Sequence, residues 1–233
     1  MHIREYCRTF AAIMEKKDIK KAAIFDLDGT LLNTIDDLGM ACNHALSRFG
    51  YPTHSAEEYP HLVGNGVNRL IMRALPKTEK TEDNVLRLRE VFIPYYNSHN
   101  KVHTHPYNGI EEVLEEMKSK GWLLAVASNK YQAATEDLIR HYFPNIFDIV
   151  LGEREGRPRK PDPQIVHDII GSRKLTTVIY IGDSDVDMQT ALNAGVPAVA
   201  CTWGFCTRET LLQYNPKYII DNPKHILTII QNI

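Results

Sequence analysis

Short apolar runs rich in branched and aromatic residues alternate along this chain with segments of helical periodicity, and no other feature constrains the fold as tightly. The runs are AAIFDL (22–27), LLAVAS (123–128), FDIVLG (147–152), TVIYIGD (177–183) and PAVACT (197–202). Between them lie the helical patterns GIEEVLEEMKSK (109–120), YQAATEDLIRHYF (131–143), DPQIVHDIIG (162–171) and DMQTALNAG (187–195). Strands that alternate with helices join through right-handed crossovers into a parallel sheet covered on both faces. The expectation is therefore an α/β fold with a doubly wound, mostly parallel sheet, which binds ligands at the carboxyl ends of its strands.

One stretch breaks the alternation. Between about Asp36 and His105 no apolar strand run occurs, and helical periodicity dominates DDLGMACNHALSRF (36–49), GVNRLIMRAL (66–75) and EDNVLRLREVFIPYYN (82–97). This predicts an inserted helical unit over 36–105, interrupting an α/β core made of 1–35 and 106–233, with junctions near 34–37 and 104–108. The 233 residues suffice for one sizeable domain carrying such an insertion. The apolar tail HILTIIQNI (225–233) is expected to pack on the core.

Polar residues that carry chemistry sit where the strand runs end. Asp26 and Asp28 occupy alternate positions as the first run leaves the sheet, so both can face one cleft, with Gly29 allowing the turn and Thr30 bracing it. Taken alone, Asp-Leu-Asp-Gly also fits a plain turn at a strand end. Ser128 and Asn129 close the second run just before a helix, where a hydroxyl and free backbone N–H groups suit a phosphate oxygen or a simple helix cap. Lys160 lies in the proline-stiffened segment RPRKPDP (157–163). Asp183, Asp185 and Asp187 crowd the end of TVIYIGD, and such acids repel unless a lysine or a cation compensates them; hard oxygen ligands suit Mg²⁺.

Acid pair, hydroxyl, lysine and acid cluster, in that order at successive strand ends, resemble the four motifs of the haloacid dehalogenase superfamily, over roughly residues 22–225. The helical insertion resembles that family's small cap. The resemblance implies in-line attack by Asp26 on phosphorus, Asp28 as acid and then base, and Lys160 as charge compensator. It also implies Mg²⁺ held by Asp26, the Asp28 backbone carbonyl and Asp183, with Asp187 and Ser184 supporting that centre and Asp185 not required. An acid at position 28 favours phosphate chemistry over carbon–halogen cleavage, because only an alkoxide leaving group needs a proton.

Within the insertion, Gly64-Asn65-Gly66 leads into a helix bearing Arg69, and its N–H groups could hold an anion. Arg69 fits equally well on a solvated helix face. This segment and Ser128-Asn129-Lys130 are similar to the corresponding stretches of phosphoglycolate phosphatases, which implies 2-phosphoglycolate as substrate with Gly64, Asn65, Gly66 and Arg69 near its carboxylate. Asn33-Thr34 departs from the Asp-Ser of such relatives. Pyrophosphatases and sugar-phosphate phosphatases or mutases share core and cap, although mutases usually carry Lys where Asn65 stands. A silent phosphate-binding module or a receiver domain are the non-enzymatic readings; the first needs no complete motif set, and the second is about half this length.

Composition narrows the partners. With 27 basic against 29 acidic residues, the chain has no global field for nucleic acid or an anionic membrane, so a small-molecule ester is the expected partner of a monomer or homodimer. Cys7, Cys42, Cys201 and Cys206 lack paired spacing and read as reduced thiols, and the N-terminus lacks a signal peptide's apolar region, which points to the cytoplasm. Residues 1–13 read as a possible upstream extension, and His103-Thr104-His105 as a polar hinge rather than a metal pair.

Overall fold

A computed structural model describes residues 21–233. Cys7 and the extension read over 1–13 lie outside the described residues. In chain order the strands are β1 (Lys21–Phe25), β2 (Leu32–Asn33), β3 (His105–Pro106), β4 (Leu123–Tyr131), β5 (Ile149–Glu153), β6 (Thr177–Gly182), β7 (Ala198–Cys201) and β8 (Tyr218–Ile220). The helices are α1 (Ile35–Arg48), α2 (Tyr59–Leu62), α3 (Val67–Ala74), α4 (Glu82–His99), α5 (Ile110–Ser119), α6 (Gln132–Tyr142), α7 (Gln164–Ile170), α8 (Asp185–Asn193), α9 (Arg208–Leu212) and α10 (His225–Gln231), with short 3-10 turns at Ala56–Glu58 and Lys77–Glu79.

Six strands form one parallel sheet in the order β5-β4-β1-β6-β7-β8. Side chains of β1 alternate between its two faces, which is why the run is apolar throughout. Ala23 and Phe25 pack with Val113 and Met117 of α5, Leu138 of α6 and Ile226 of α10. Ala22 and Ile24 face the other way, onto Ile165 and Ile169 of α7 and Ala191 of α8. The tail thus joins the core as its apolar pattern requires. The edge strand β8 and the two-residue ribbon of β2 with β3 have no counterpart in the sequence reading, because three or two residues carry too little pattern to register.

Helices α1 to α4 gather around their own buried residues, among them Leu38, Ala45, Leu70, Leu88 and Phe92, joined from the α/β side by Ala134. Three cues shape this region. Thr81 caps α4 by accepting from the Asn84 N–H, the loop at Gly64, Asn65 and Gly66 runs at φ values of 102°, 65° and 82°, and Arg73 Nη1 donates to the carbonyls of Leu62, Val63 and Gly64. No helix of the described residues is long and apolar enough to cross a membrane. Cys42, Cys201 and Cys206 are free thiols.

The two chain crossings between the helical unit and the sheet are tied together by Asp37. This buried carboxylate, in the first turn of α1, accepts from the backbone N–H of His103 at 3.0 Å, the N–H of Thr104 at 2.9 Å and the Thr104 hydroxyl at 2.8 Å. The segment around His103 is thus clasped to the start of α1, and among the described residues neither His103 nor His105 belongs to a group of three potential metal ligands. Removing the acid leaves three donors stranded inside the protein. Asp37→Ala is expected to lower stability by about 2 to 3 kcal/mol, read as a shift in the urea midpoint at unchanged slope.

Candidate active site

Register brings the motif residues to one edge. Phe25 stands opposite Val126 of β4 and Ile181 of β6, so Asp26, Ser128 and Asp183 emerge together where the three central strands end. Asp26 continues the strand by donating its N–H to the Ile181 carbonyl at 2.9 Å. The chain then turns within Leu27, Asp28 and Gly29, and the Leu27 carbonyl accepts from the N–H groups of Leu31 and Leu32 at 3.0 Å each. Gly29 sits at φ 87° with its α-carbon against Asp183: a Cβ there would fall 2.3 Å from Asp183 Oδ2.

Lys160 is the centre of charge. Its Nζ lies 2.9 Å from Asp26 Oδ1, 2.7 Å from Asp187 Oδ1 and 3.1 Å from the Tyr180 hydroxyl. Burial by itself pulls the Lys160 pKa down, but Asp187 and Asp26 more than offset that and hold it well above the usual lysine range. Asp26 is pushed well above the ordinary carboxylate range, first by burial and then by Asp187, with Lys160 opposing. Asp183 is raised to about 7, chiefly by burial and then by Asp187, against hydrogen bonds from the Phe205 N–H and Thr30. Thr30 gives its hydroxyl to Asp183 Oδ1 at 2.8 Å.

One oxygen each of Asp26, Asp183 and Asp187 fall within 4.8 Å of one another, all buried. Three carboxylates against one ammonium leave an excess of negative charge, and a hard divalent cation is the group that this donor set suits. Asp187 has both oxygens engaged: Oδ1 by Lys160 and Tyr180, Oδ2 by the Ser184 hydroxyl at 2.6 Å and the Ser184 N–H at 3.1 Å. Ser184 in return accepts from the Asp187 N–H, a reciprocal cap that starts α8 and fixes the acid. Each Asp187 oxygen thus carries two donors, whereas each Asp183 oxygen carries one, the Thr30 hydroxyl on Oδ1 and the Phe205 N–H on Oδ2, and the Asp26 contacts all fall on Oδ1; Asp185 lines the cleft without entering that cluster.

The remaining residues divide in ways their types alone do not reveal. Asp28 accepts from Lys130 Nζ at 2.8 and 2.9 Å and from the Thr34 hydroxyl at 2.8 Å. The departure at Thr34 therefore still supplies a hydroxyl to the acid. Ser128 is buried in the cleft wall and accepts the Lys130 N–H. Asn129, expected to face a phosphate, lines the cleft and uses its side chain on the Lys160 backbone, accepting at 2.9 Å and donating at 3.1 Å, which positions the lysine.

A cleft joins this edge to the helical unit. Gly64, Asn65 and Gly66 line it, and Gly66 lies so near β4 that a Cβ would come 3.1 Å from the Asn129 carbonyl. Arg69 is a correction to the sequence reading: its side chain is exposed and lies outside the lining, because the amphipathic α3 turns Leu70 inward and Arg69 out. Arg73, one turn on, lines the cleft instead while holding the loop carbonyls. Lys130, Thr34, Tyr180 and Arg73 were not assigned roles by sequence. Only Lys130 had a signal there, its place directly after Ser128 and Asn129.

The profile of the haloacid dehalogenase-like hydrolases matches residues 23–201, which spans every motif residue above. The chain belongs to the haloacid dehalogenase-like hydrolase family. It is 32% identical over 225 residues to a phosphoglycolate phosphatase of Vibrio parahaemolyticus, covering 93% of this chain and 98% of the relative. A phosphoglycolate phosphatase of Haemophilus influenzae is 32% identical over 215 residues, covering 88% and 96%. A crystal structure of a predicted phosphoglycolate phosphatase from Haemophilus somnus superposes with a TM-score of 0.82 at 29% identity, covering 92% of this chain and 99% of that one. The fold expected from the strand and helix pattern is thus that of this hydrolase family.

Two outcomes follow for this hydrolase. Gly29→Ala drives a methyl into Asp183 and is expected to lower kcat/KM by about 100-fold, measured on any ester the wild type turns over. Asp183, whose pKa rises from an ordinary 3.8 to about 7, holds a proton in the folded metal-free protein that the unfolded chain releases. That stabilisation is complete below the unfolded value and is lost as pH climbs through about 7. In chelator, the melting temperature of the wild type relative to Asp183→Asn is expected to fall between about pH 5 and about pH 8, and a divalent cation to erase the fall.

Proposed function

We propose that this hydrolase cleaves 2-phosphoglycolate to glycolate and phosphate by way of an aspartyl-phosphate on Asp26. The observation that carries the substrate is the extent of likeness: the Vibrio parahaemolyticus phosphoglycolate phosphatase aligns over 93% of this chain, and so across the helical unit as well as the core. We assign the helical unit over 36–105 as a cap on the core formed by the rest of the chain.

The chemistry follows from the side chains. Asp26, fixed at Oδ1 by the Leu27 N–H at 2.7 Å and by Lys160, attacks phosphorus in line with the leaving oxygen. Asp28 gives that oxygen a proton and then takes one from the water that hydrolyses the acyl-phosphate. The Ser128 hydroxyl and the free backbone N–H groups at the strand ends hold the equatorial oxygens, while Thr30 steadies Asp183. Lys160 neutralises charge on Asp26 and the phosphoryl group. Asp26, the Asp28 backbone carbonyl and Asp183 would hold Mg²⁺, which would supply the second positive charge that a dianion needs to approach these acids. Gly64, Asn65 and Gly66 close over the leaving group and exclude water.

The test compares phosphate release from 2-phosphoglycolate, pyrophosphate and hexose phosphates, each with Mg²⁺ and with chelator. A kcat/KM for 2-phosphoglycolate at least about tenfold above the others is expected, which corresponds to about 1.4 kcal/mol of discrimination. A pyrophosphate or hexose phosphate preference would replace the substrate, and release undiminished by chelator would remove Mg²⁺. Asp26→Asn is expected to abolish turnover while keeping a cooperative thermal transition; residual hydrolysis by a pure sample would reject Asp26 as nucleophile.

A further inference from the structure

Three cationic side chains line the cleft among the described residues, Arg73, Lys130 and Lys160, and they are not equally committed. Arg73 is tied through Nη1 to three carbonyls of the helical unit's own loop, with Nε and Nη2 bonded to no acceptor among the described residues, and the Lys160 ammonium is surrounded by Asp26, Asp187 and the Tyr180 hydroxyl. Lys130 differs. Its ammonium bonds the two oxygens of one partner, Asp28, at 2.8 and 2.9 Å, and sits 4.8 Å over the ring of Tyr96 from α4. An ammonium carries three hydrogens, and beyond the two toward Asp28 no further oxygen acceptor is bonded to this one among the described residues. Tyr96, which lines the same cleft, has a buried hydroxyl with no hydrogen-bond partner. The Lys130 side chain is 4% exposed, so its charge acts on a ligand with little screening by water.

The position of this ammonium matters because of what it touches. Asp28 is the residue assigned to the leaving oxygen, so Lys130 stands one hydrogen bond from the point where ester and leaving group part. In 2-phosphoglycolate the carboxylate is one methylene away from that ester oxygen. A cation bonded to Asp28 can therefore meet the carboxylate of a leaving group this short, whereas the charged end of a longer one would pass it toward α3. Arg69 lies on the exposed side of α3, outside the cleft lining.

We infer that Lys130 binds the carboxylate of the leaving group and so sets the preference for a short acidic alcohol. The assignment rests on 2-phosphoglycolate being the substrate, and it moves carboxylate recognition from the helical unit to the end of β4. Lys130 thereby holds the acid that acts on the ester oxygen and the substrate group next to it in one contact.

The experiment compares kcat/KM for 2-phosphoglycolate and for ethyl phosphate, which has the same two carbons without the carboxylate, in wild type, Lys130→Met and Lys130→Gln. Gln keeps a donor toward Asp28 but carries no charge. The wild type is expected to favour 2-phosphoglycolate, and both variants to lose about 10- to 100-fold of that preference, mainly through a raised KM for 2-phosphoglycolate. A wild type that favours 2-phosphoglycolate together with variants that keep the ratio overturns the Lys130 assignment and leaves the substrate standing. A wild type with no preference overturns both. Should either variant be too slow on both esters, affinity is read by calorimetry in the Asp26→Asn background with the same two ligands: loss of the 2-phosphoglycolate advantage supports the assignment, and its persistence overturns it.

Discussion

Burying the carboxylates of Asp26, Asp183 and Asp187 beside a single ammonium creates an electrostatic imbalance around which the rest of the molecule is arranged. Each ion carries a desolvation cost of several kcal/mol, and the Lys160 contacts at 2.7 and 2.9 Å reach only Asp187 and Asp26 and offset it in part. The unmet part appears as raised pKa values at Asp26 and Asp183. A second cation would relieve this strain, and a phosphate dianion would bring the same need for positive charge to the same place. The backbone is shaped around the same acids. Gly29, Gly182 and Gly204 each bring an α-carbon so near Asp183 or Asp187 that an added Cβ would fall 2.3 to 2.4 Å from an acid side-chain atom.

Orientation within the cluster comes from neighbours that do no chemistry. Ser184 and Asp187 cap α8 reciprocally, so the helix start and the acid that holds Lys160 are one device. Asn129 clasps the Lys160 backbone from β4, and Tyr180 meets the ammonium from within the sheet. The lysine is therefore positioned from three separate elements, which leaves its ammonium little freedom to follow one acid at the expense of another.

Two parts of the chain meet at one cleft. The sheet edge holds Asp26, Asp183 and Lys130, while the helical unit contributes the loop at Gly64, Asn65 and Gly66 and the ring of Tyr96. Asp37 binds the outgoing crossing to the returning one, which fixes the two connections side by side. The Lys130 ammonium, between Asp28 and Tyr96, is the place where the two parts share a polar contact close to the reacting centre.

Strand and helix alternation was legible because side-chain period is local: AAIFDL and LLAVAS are apolar on both faces, and a strand covered on both faces must be. Asp26, Asp28, Lys160 and Asp183 could be singled out because each terminates such a run or follows one, and the turn chemistry around them is also local. What faces what was not legible. The partner of Asp28 lies 102 residues away, that of Asp37 lies 66 to 67 away, and the backbone that engages Asn129 lies 31 away. Arg69 and Arg73 share one amphipathic pattern, and only packing of α3 against α4 decided which of them lines the cleft. Residue types and periods thus determined the α/β architecture and the acids and lysine of the centre; the tertiary fold alone decided which charges pair and which stay available to a ligand, because pairing depends on distances in space that spacing along a chain does not encode.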